Sequence, residues 1–192
     1  ANPRRTRIEG AAVNLDMADL IAEEDVVVTI SHAGYCKRLP VDAYRTQGRG
    51  GRGVIGADTK EDDFTEHLFV ASTHDDLMCF TNQGRVFKIK VYEIPEAART
   101  SRGRSIVNLI EVREGESVCA FLPVRDFEKH GDYLVFVTEQ GLVKRTSLKL
   151  YRNVNRGGLI AVTLKEGDRL IGVALTSGTD QVMLCTRGGI AI

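Results

Sequence analysis

The sequence predicts an all-β fold, a propeller-like array of four-stranded antiparallel units. Three observations carry this. Short apolar runs end repeatedly in a turn of the form Ser/Thr-x-x-Gly: SHAG at Ser31–Gly34, TNQG at Thr81–Gly84, TEQG at Thr138–Gly141 and TRGG at Thr186–Gly189. The turn glycines lie 50, 57 and 48 residues apart. A second marker, basic-Glu-x-acidic, recurs with a similar period as KEDD (60–63), REGE (113–116) and KEGD (165–168). Each marker sits between apolar runs and reads as a hairpin turn, with Gly supplying the left-handed residue of the Ser/Thr-x-x-Gly form. Units of about 40–50 residues with four strands are the mark of a propeller array.

The elements follow in chain order. Residues 1–24 read as a polar linker ending in a short helical turn, with Leu15, Leu20 and Ile21 at near-helical spacing and Asn14 as a plausible N-cap. Each unit then has a strand, the S/T-x-x-G turn and a second strand. A long loop follows, passing Tyr44, Tyr92 or Tyr151, and then a third strand, the acidic turn and a fourth strand. The domain expected over 25–192 divides into complete units at roughly 25–68, 69–122 and 132–175, and a fourth begins near 181–192. TRGGIAI is then the start of a unit whose outer strands belong to a longer polypeptide or a neighbour.

Composition narrows the function. Of 192 residues 43% are hydrophobic, enough for a sizeable core, and 26 basic residues balance 26 acidic ones. The four cysteines (Cys36, Cys79, Cys119, Cys185) form no C-x-x-C pair and read as free thiols of a reducing compartment. His74 and Cys79 are conceivable zinc ligands, but nothing completes a site, so no metal is expected. No apolar run approaches the ~18 residues of a membrane span and no signal-peptide pattern opens the chain, so the expectation is a soluble cytoplasmic protein without membrane partners. No acid pair, metal cluster or nucleophile–base set recurs or clusters, so no catalytic residue is assigned.

Charge is unevenly distributed. Residues 85–104 hold six basic and two acidic residues, a net of +4, and residues 144–156 hold five basic residues and no acid. Residues 61–76 carry six acids and neither Lys nor Arg. The second strand and long loop of each unit are therefore basic. The fourth residue after the hairpin glycine is basic in each complete unit: Arg38, Lys88 and Arg145. Equivalent positions of an array lie on equivalent surfaces, so the pattern predicts a basic rim for a polyanion. Its members are Lys37, Arg38, Arg45, Lys88, Lys90, Arg99, Arg102, Arg104, Lys144, Arg145 and Arg156.

The box QGRGGRG, Gln47, Gly48, Arg49, Gly50, Gly51, Arg52 and Gly53, matches G-x-G-x-x-G. No convincing strand leads in and β-like VIGADTK follows in place of a helix, so a dinucleotide cradle is excluded. Arg-Gly-Gly at Arg49, Arg156 and Arg187 falls each time inside an ordered repeat, which argues against a disordered RGG segment. An ordered glycine loop remains, whose backbone can approach phosphates while Arg49 and Arg52 make bidentate contacts.

With this box in the long loop of the first unit, the chain resembles the family of DNA gyrase A C-terminal domains. DLIAEEDVVVTISHAGYCKR before the box, STHDDLMCFTNQGRVFKIKVYEIPEAART after it and the linker NPRRTRIE agree with that family, so the likeness covers nearly the whole chain. Topoisomerase IV subunits share the blades but usually have a degenerate box. Gly48 departs from the pattern, since family members often have a basic residue there; Arg45 is a nearby compensating charge. The resemblance implies a β-pinwheel of about six blades, here three complete blades and the start of a fourth, that wraps double-stranded DNA without reading its sequence. It implies support of ATP-dependent negative supercoiling in a bacterial, nucleoid-associated holoenzyme. Its partners there are the upstream breakage-reunion domain, which holds the nucleophilic tyrosine, and the gyrase B protein, in an A2B2 assembly. ATP and Mg2+ then belong to the holoenzyme and no cofactor to this chain. Tyr35, Tyr44, Tyr92, Tyr133 and Tyr151 read as packing residues or loop anchors. The alternatives are a topoisomerase IV-like DNA-binding domain, a propeller used as a protein-interaction platform, and a self-sufficient propeller enzyme.

Overall fold

A computed structural model of the protein describes residues 17–44, 63–128 and 132–192. The box at 47–53 and Arg45 lie outside the described residues. The described residues form eleven strands: β1 Asp25–Ser31, β2 Tyr35–Pro40, β3 Thr65–Ser72, β4 Asp76–Thr81, β5 Arg85–Lys90, β6 Arg104–Ser105, β7 Val118–Val124, β8 Tyr133–Thr138, β9 Val143–Ser147, β10 Leu159–Ile160 and β11 Leu170–Thr176. They form two four-stranded sheets, ordered β3-β1-β2-β6 and β10-β5-β4-β7, and a three-stranded sheet ordered β11-β8-β9. Every named strand pair is antiparallel. The remaining helical structure among the described residues is 3-10 turns, including Met17–Leu20 just ahead of β1.

Two neighbouring strands of each sheet come from one S/T-x-x-G hairpin. Gly34, Gly84 and Gly141 have φ of 78°, 77° and 82°, the left-handed values the turn spacing requires. The strand after the acidic turn returns beside the first strand of its own hairpin, as β7 beside β4 and β11 beside β8. The third strand of a unit goes elsewhere. β6 pairs with β2 of the preceding sheet, Tyr35 opposite Ser105 and Cys36 opposite Arg104, and β10 pairs with β5 in the same way. The second and third units thus each lend two residues to the sheet before them. β3 runs through Ser72, past the division at residue 68 expected from the repeats.

The second sheet lies between the other two. On one of its faces Leu77, Cys79, Phe87 and Ile89 pack with Val26, Val28, Ile30 and Cys36 of the first sheet. On the other, Met78, Phe80 and Val86 pack with Leu134, Phe136 and Leu170 of the third. Burial on both faces explains why LMCF reads as an unbroken apolar run instead of alternating. Phe80 and Phe136 meet edge to face with ring centroids 5.7 Å apart, and burial of one such ring is worth about 1.5–3 kcal/mol. Before β1, Thr73 accepts the Glu24 N–H and donates to the Ala22 carbonyl, while the His74 ring meets the Ile21 carbonyl at 2.9 Å. Residues 21–24 are thereby fastened to the turn between β3 and β4.

Candidate nucleic-acid interface

The basic residues lie on and beside the second strand of each hairpin, and in the first two sheets the next unit crosses there. In the first sheet, β2 grips residues 94–105 along its length. The Arg38 N–H donates to the Pro95 carbonyl and the Ala97 N–H donates back to Arg38. The Arg38 guanidinium donates to the Ile94 carbonyl at 2.8 Å and lies 3.5 Å from the Glu96 carboxylate. Lys37 Nζ donates to the carbonyls of Ala98, at 3.3 Å, Ser101, at 2.7 Å, and Arg99. Cys36 Sγ meets the Arg104 carbonyl at 3.3 Å.

The second sheet repeats the device with other residues. Lys88 Nζ donates to the Arg152 carbonyl at 2.5 Å and lies over the Phe127 ring. Ile94 and Arg152 each follow a 3-10 turn of the next unit, so Arg38 and Lys88 hold equivalent carbonyls. Arg85 reaches the Gly157 carbonyl at 2.6 Å while paired with the buried Glu116 at 2.7 Å.

The sequence-predicted rim residues therefore divide. Arg102, Arg104, Lys144, Arg145 and Arg156 are exposed and Arg99 is half-exposed. The Arg102 guanidinium stacks 3.6 Å over the Tyr35 ring and that of Arg145 lies 4.7 Å over Tyr133, with a bond to the Gly178 carbonyl at 3.0 Å. A guanidinium stacked by its face keeps N–H donors at its edge, where a planar anion binds. Arg156 lies 3.7 Å from Glu93. Lys90 is paired with Asp76 at 3.1 Å and donates to the His74 carbonyl. Lys37 departs from the surface position expected for it: it is buried, because three carbonyls of the crossing loop surround its ammonium. Arg38 and Lys88, expected to face a polyanion, spend donors on the next unit's backbone instead. Tyr35 and Tyr133, read as packing residues or anchors, serve as platforms for arginines. Each is the first residue of its strand, β2 or β8, and the pairing places a serine opposite it.

The described residues hold no group of three or more His, Cys, Asp or Glu able to take a metal ion, and no helix among them is long and apolar enough to cross a membrane. His74 is held against Ile21, and Cys79 is wholly buried. The four cysteines are free thiols.

Residues 25–72, 75–125 and 132–177, one stretch for each sheet, match the family model described as DNA gyrase C-terminal domain, beta-propeller. The chain belongs to the DNA gyrase C-terminal domain family. This gyrase domain is 43% identical over 189 residues to the DNA gyrase A protein of Clostridium acetobutylicum, a match covering 98% of the chain and 23% of that relative. It is 48% identical over 184 residues to the gyrase A protein of Staphylococcus epidermidis, covering 95% of the chain and 21% of the relative. The chain thus spans about a quarter of the length of these curated relatives. Among solved structures it is similar to the C-terminal domain of DNA topoisomerase IV, with a TM-score of 0.75 and 33% identity over 90% of this chain and 52% of that one. It is also similar to a DNA gyrase A C-terminal domain, with a TM-score of 0.62 and 25% identity over 80% of this chain and 48% of that one.

Proposed function

We propose that the chain is the DNA-wrapping part of a gyrase A protein, binding double-stranded DNA through phosphate contacts without reading sequence. The observation that carries this is the exposed cluster Arg102 and Arg104 on the segment that crosses from the second unit onto β2, in a chain of the gyrase family. Arg102 is oriented by Tyr35 and Arg104 by the β6–β2 pairing. Lys144 and Arg145 are the exposed counterparts on the third sheet. Smoothly bending 20–30 base pairs costs about 1–6 kcal/mol, which several such contacts offset together.

In this reading the sheets are three blades of a pinwheel whose fourth begins with the Cys185–Ala191 bridge. The domain works beside the breakage-reunion domain of gyrase A, with gyrase B in an A2B2 enzyme that uses ATP and Mg2+ in the bacterial cytoplasm. In sequence the box Gln47–Gly53 falls in the long loop of the first blade, the blade that follows the linker, and it contributes Arg49 and Arg52 where the wrapped path starts or finishes.

The test is the double variant Arg49→Ala/Arg52→Ala in the full enzyme. Two lost charge-assisted contacts of about 1.5–3 kcal/mol each match the bending cost. Negative supercoiling is expected to vanish while DNA cleavage and relaxation persist and circular dichroism is unchanged. Normal supercoiling by this variant defeats the reading. The similarity to the topoisomerase IV domain favours a second reading, a domain that binds DNA in an enzyme without wrapping-driven supercoiling. A holoenzyme that relaxes and decatenates but never introduces negative supercoils would select it.

A further inference from the structure

We propose that Lys37 is a positioning residue, an internal clamp that holds the loop 98–103 in the shape that presents Arg99, Arg102 and Arg104 to a polyanion; this rests on the DNA-binding reading above. An ammonium has three N–H donors, and Lys37 Nζ meets three carbonyls of this one loop, Ala98, Arg99 and Ser101. A buried charge is tolerated when it is hydrogen-bonded in this way. The loop itself creates the burial. Lys144 occupies the same place relative to its hairpin glycine in the third sheet, where no further strand is paired to the outer edge of β9 among the described residues, and it is exposed.

A second contact fixes the loop from its far end. Gly103 has φ of 83°, and a Cβ there would lie 2.3 Å from the Cys36 carbonyl oxygen and 3.0 Å from Lys37 Cβ. The chain can thus lie flat on β2 only with glycine at this position. Between the clamp and the glycine the loop is short and two of its amides are partnered: Ser101 N–H donates to the Ala98 carbonyl and Gly103 N–H to Ser101 Oγ. Three arginines whose backbone is already ordered do not incur its ordering cost on meeting DNA.

Two variants separate this role from a direct phosphate contact. Lys37→Met removes the clamp, and Gly103→Ala lifts the loop while leaving every charge in place. Hydrogen exchange without DNA reads the loop, and binding of a random-sequence duplex reads its consequence. Both variants are expected to lose amide protection at Ser101 and to bind about five- to thirtyfold more weakly, the equivalent of ordering one residue of backbone. If Lys37→Met weakens binding with protection at Ser101 intact, Lys37 touches DNA itself and the proposal is overturned. If protection is lost in Gly103→Ala and affinity is unchanged, loop order is irrelevant and it is also overturned. The triple variant Arg99→Ala/Arg102→Ala/Arg104→Ala tests the underlying reading separately. If it binds as tightly as the wild type, this loop does not face DNA, and the presentation role falls with it whatever the exchange shows. Should Lys37→Met fail to fold by circular dichroism, the Gly103→Ala arms decide alone.

Discussion

The Asp168 carboxylate accepts the backbone N–H of Gln140 at 3.0 Å, joining the acidic turn of the third unit to its hairpin turn 28 residues earlier. Asp63 accepts the Ala33 N–H at 2.9 Å in the first unit. In the second, Glu116 accepts the Thr81 hydroxyl at 2.6 Å, the Arg113 N–H at 2.8 Å and the Arg85 guanidinium. The last acid of each basic-Glu-x-acidic turn therefore secures the S/T-x-x-G turn of its own unit. The two sequence markers share a period because one holds the other.

These bonds make the acid limit of stability predictable. The Ala33 N–H holds Asp63 below the usual carboxylate range. Burial pushes Glu116 and Asp168 up, but it is outweighed by the Thr81 hydroxyl, the Arg113 N–H and Arg85 at Glu116, and by the Thr138 hydroxyl and the N–H groups of Gln140 and Arg169 at Asp168. A carboxyl lowered by folding contributes stability that is complete above its unfolded value, about 3.9 for Asp and 4.3 for Glu, and is lost as pH falls through the folded value. The variant Asp63→Asn/Asp168→Asn is expected to have a lower urea midpoint than the wild type at pH 7 and a smaller drop between pH 5 and pH 2.5. Parallel curves in the two proteins would refute the carboxylate role.

Equivalent turn glycines differ in what surrounds them. Gly141 has open space around an added Cβ, so Gly141→Ala meets only the left-handed strain, about 1–2 kcal/mol. At Gly84 the same Cβ would lie 2.3 Å from the Val162 carbonyl oxygen, and that oxygen belongs to the segment after β10, whose Ala161 and Val162 amides donate to the Gly84 carbonyl. Gly84→Ala is expected to lose about 2–5 kcal/mol, since overpacking adds roughly 1–3 kcal/mol to the strain. Urea unfolding of the two variants compares them directly; equal losses would contradict the lent-strand packing.

Salt dependence should separate exposed arginines from tied lysines. Arg102→Ala and Arg104→Ala are each expected to reduce the slope of log affinity against log salt by about 0.9, one phosphate contact. Lys90→Ala should leave it unchanged, because Lys90 is paired with Asp76 and the His74 carbonyl. A slope that falls equally in all three would place Lys90 on the DNA face as well.

Thiol labelling should be ordered by burial. Cys185 is exposed, whereas burial pushes the Cys36 and Cys119 thiols up to about 11 and Cys79 higher still. The thiolate is the reactive form, so one fast equivalent is expected with a disulfide reagent at neutral pH, absent in Cys185→Ser. Two or more fast equivalents in the native protein would contradict the buried positions.

Much of the fold is legible in the sequence alone. The hairpins, the left-handed glycines and the four strands of the second and third units follow from turn chemistry and apolar runs a few residues long, and those signals are local. The box reads in the sequence as a run of glycines and arginines, and it lies outside the described residues. What only the tertiary structure decided is where the third strand goes and what the basic residues touch. β6 and β10 are two residues long, too short for any periodicity, and their partners are distant: Cys36 meets Arg104 across 68 residues. The same distance explains the lysines and arginines. Sequence places a cation on β2, but a cation reads alike whether it faces solvent or a carbonyl. Lys37 is inside and Lys144 outside because one crossing loop closes over the first and none of the described residues closes over the second.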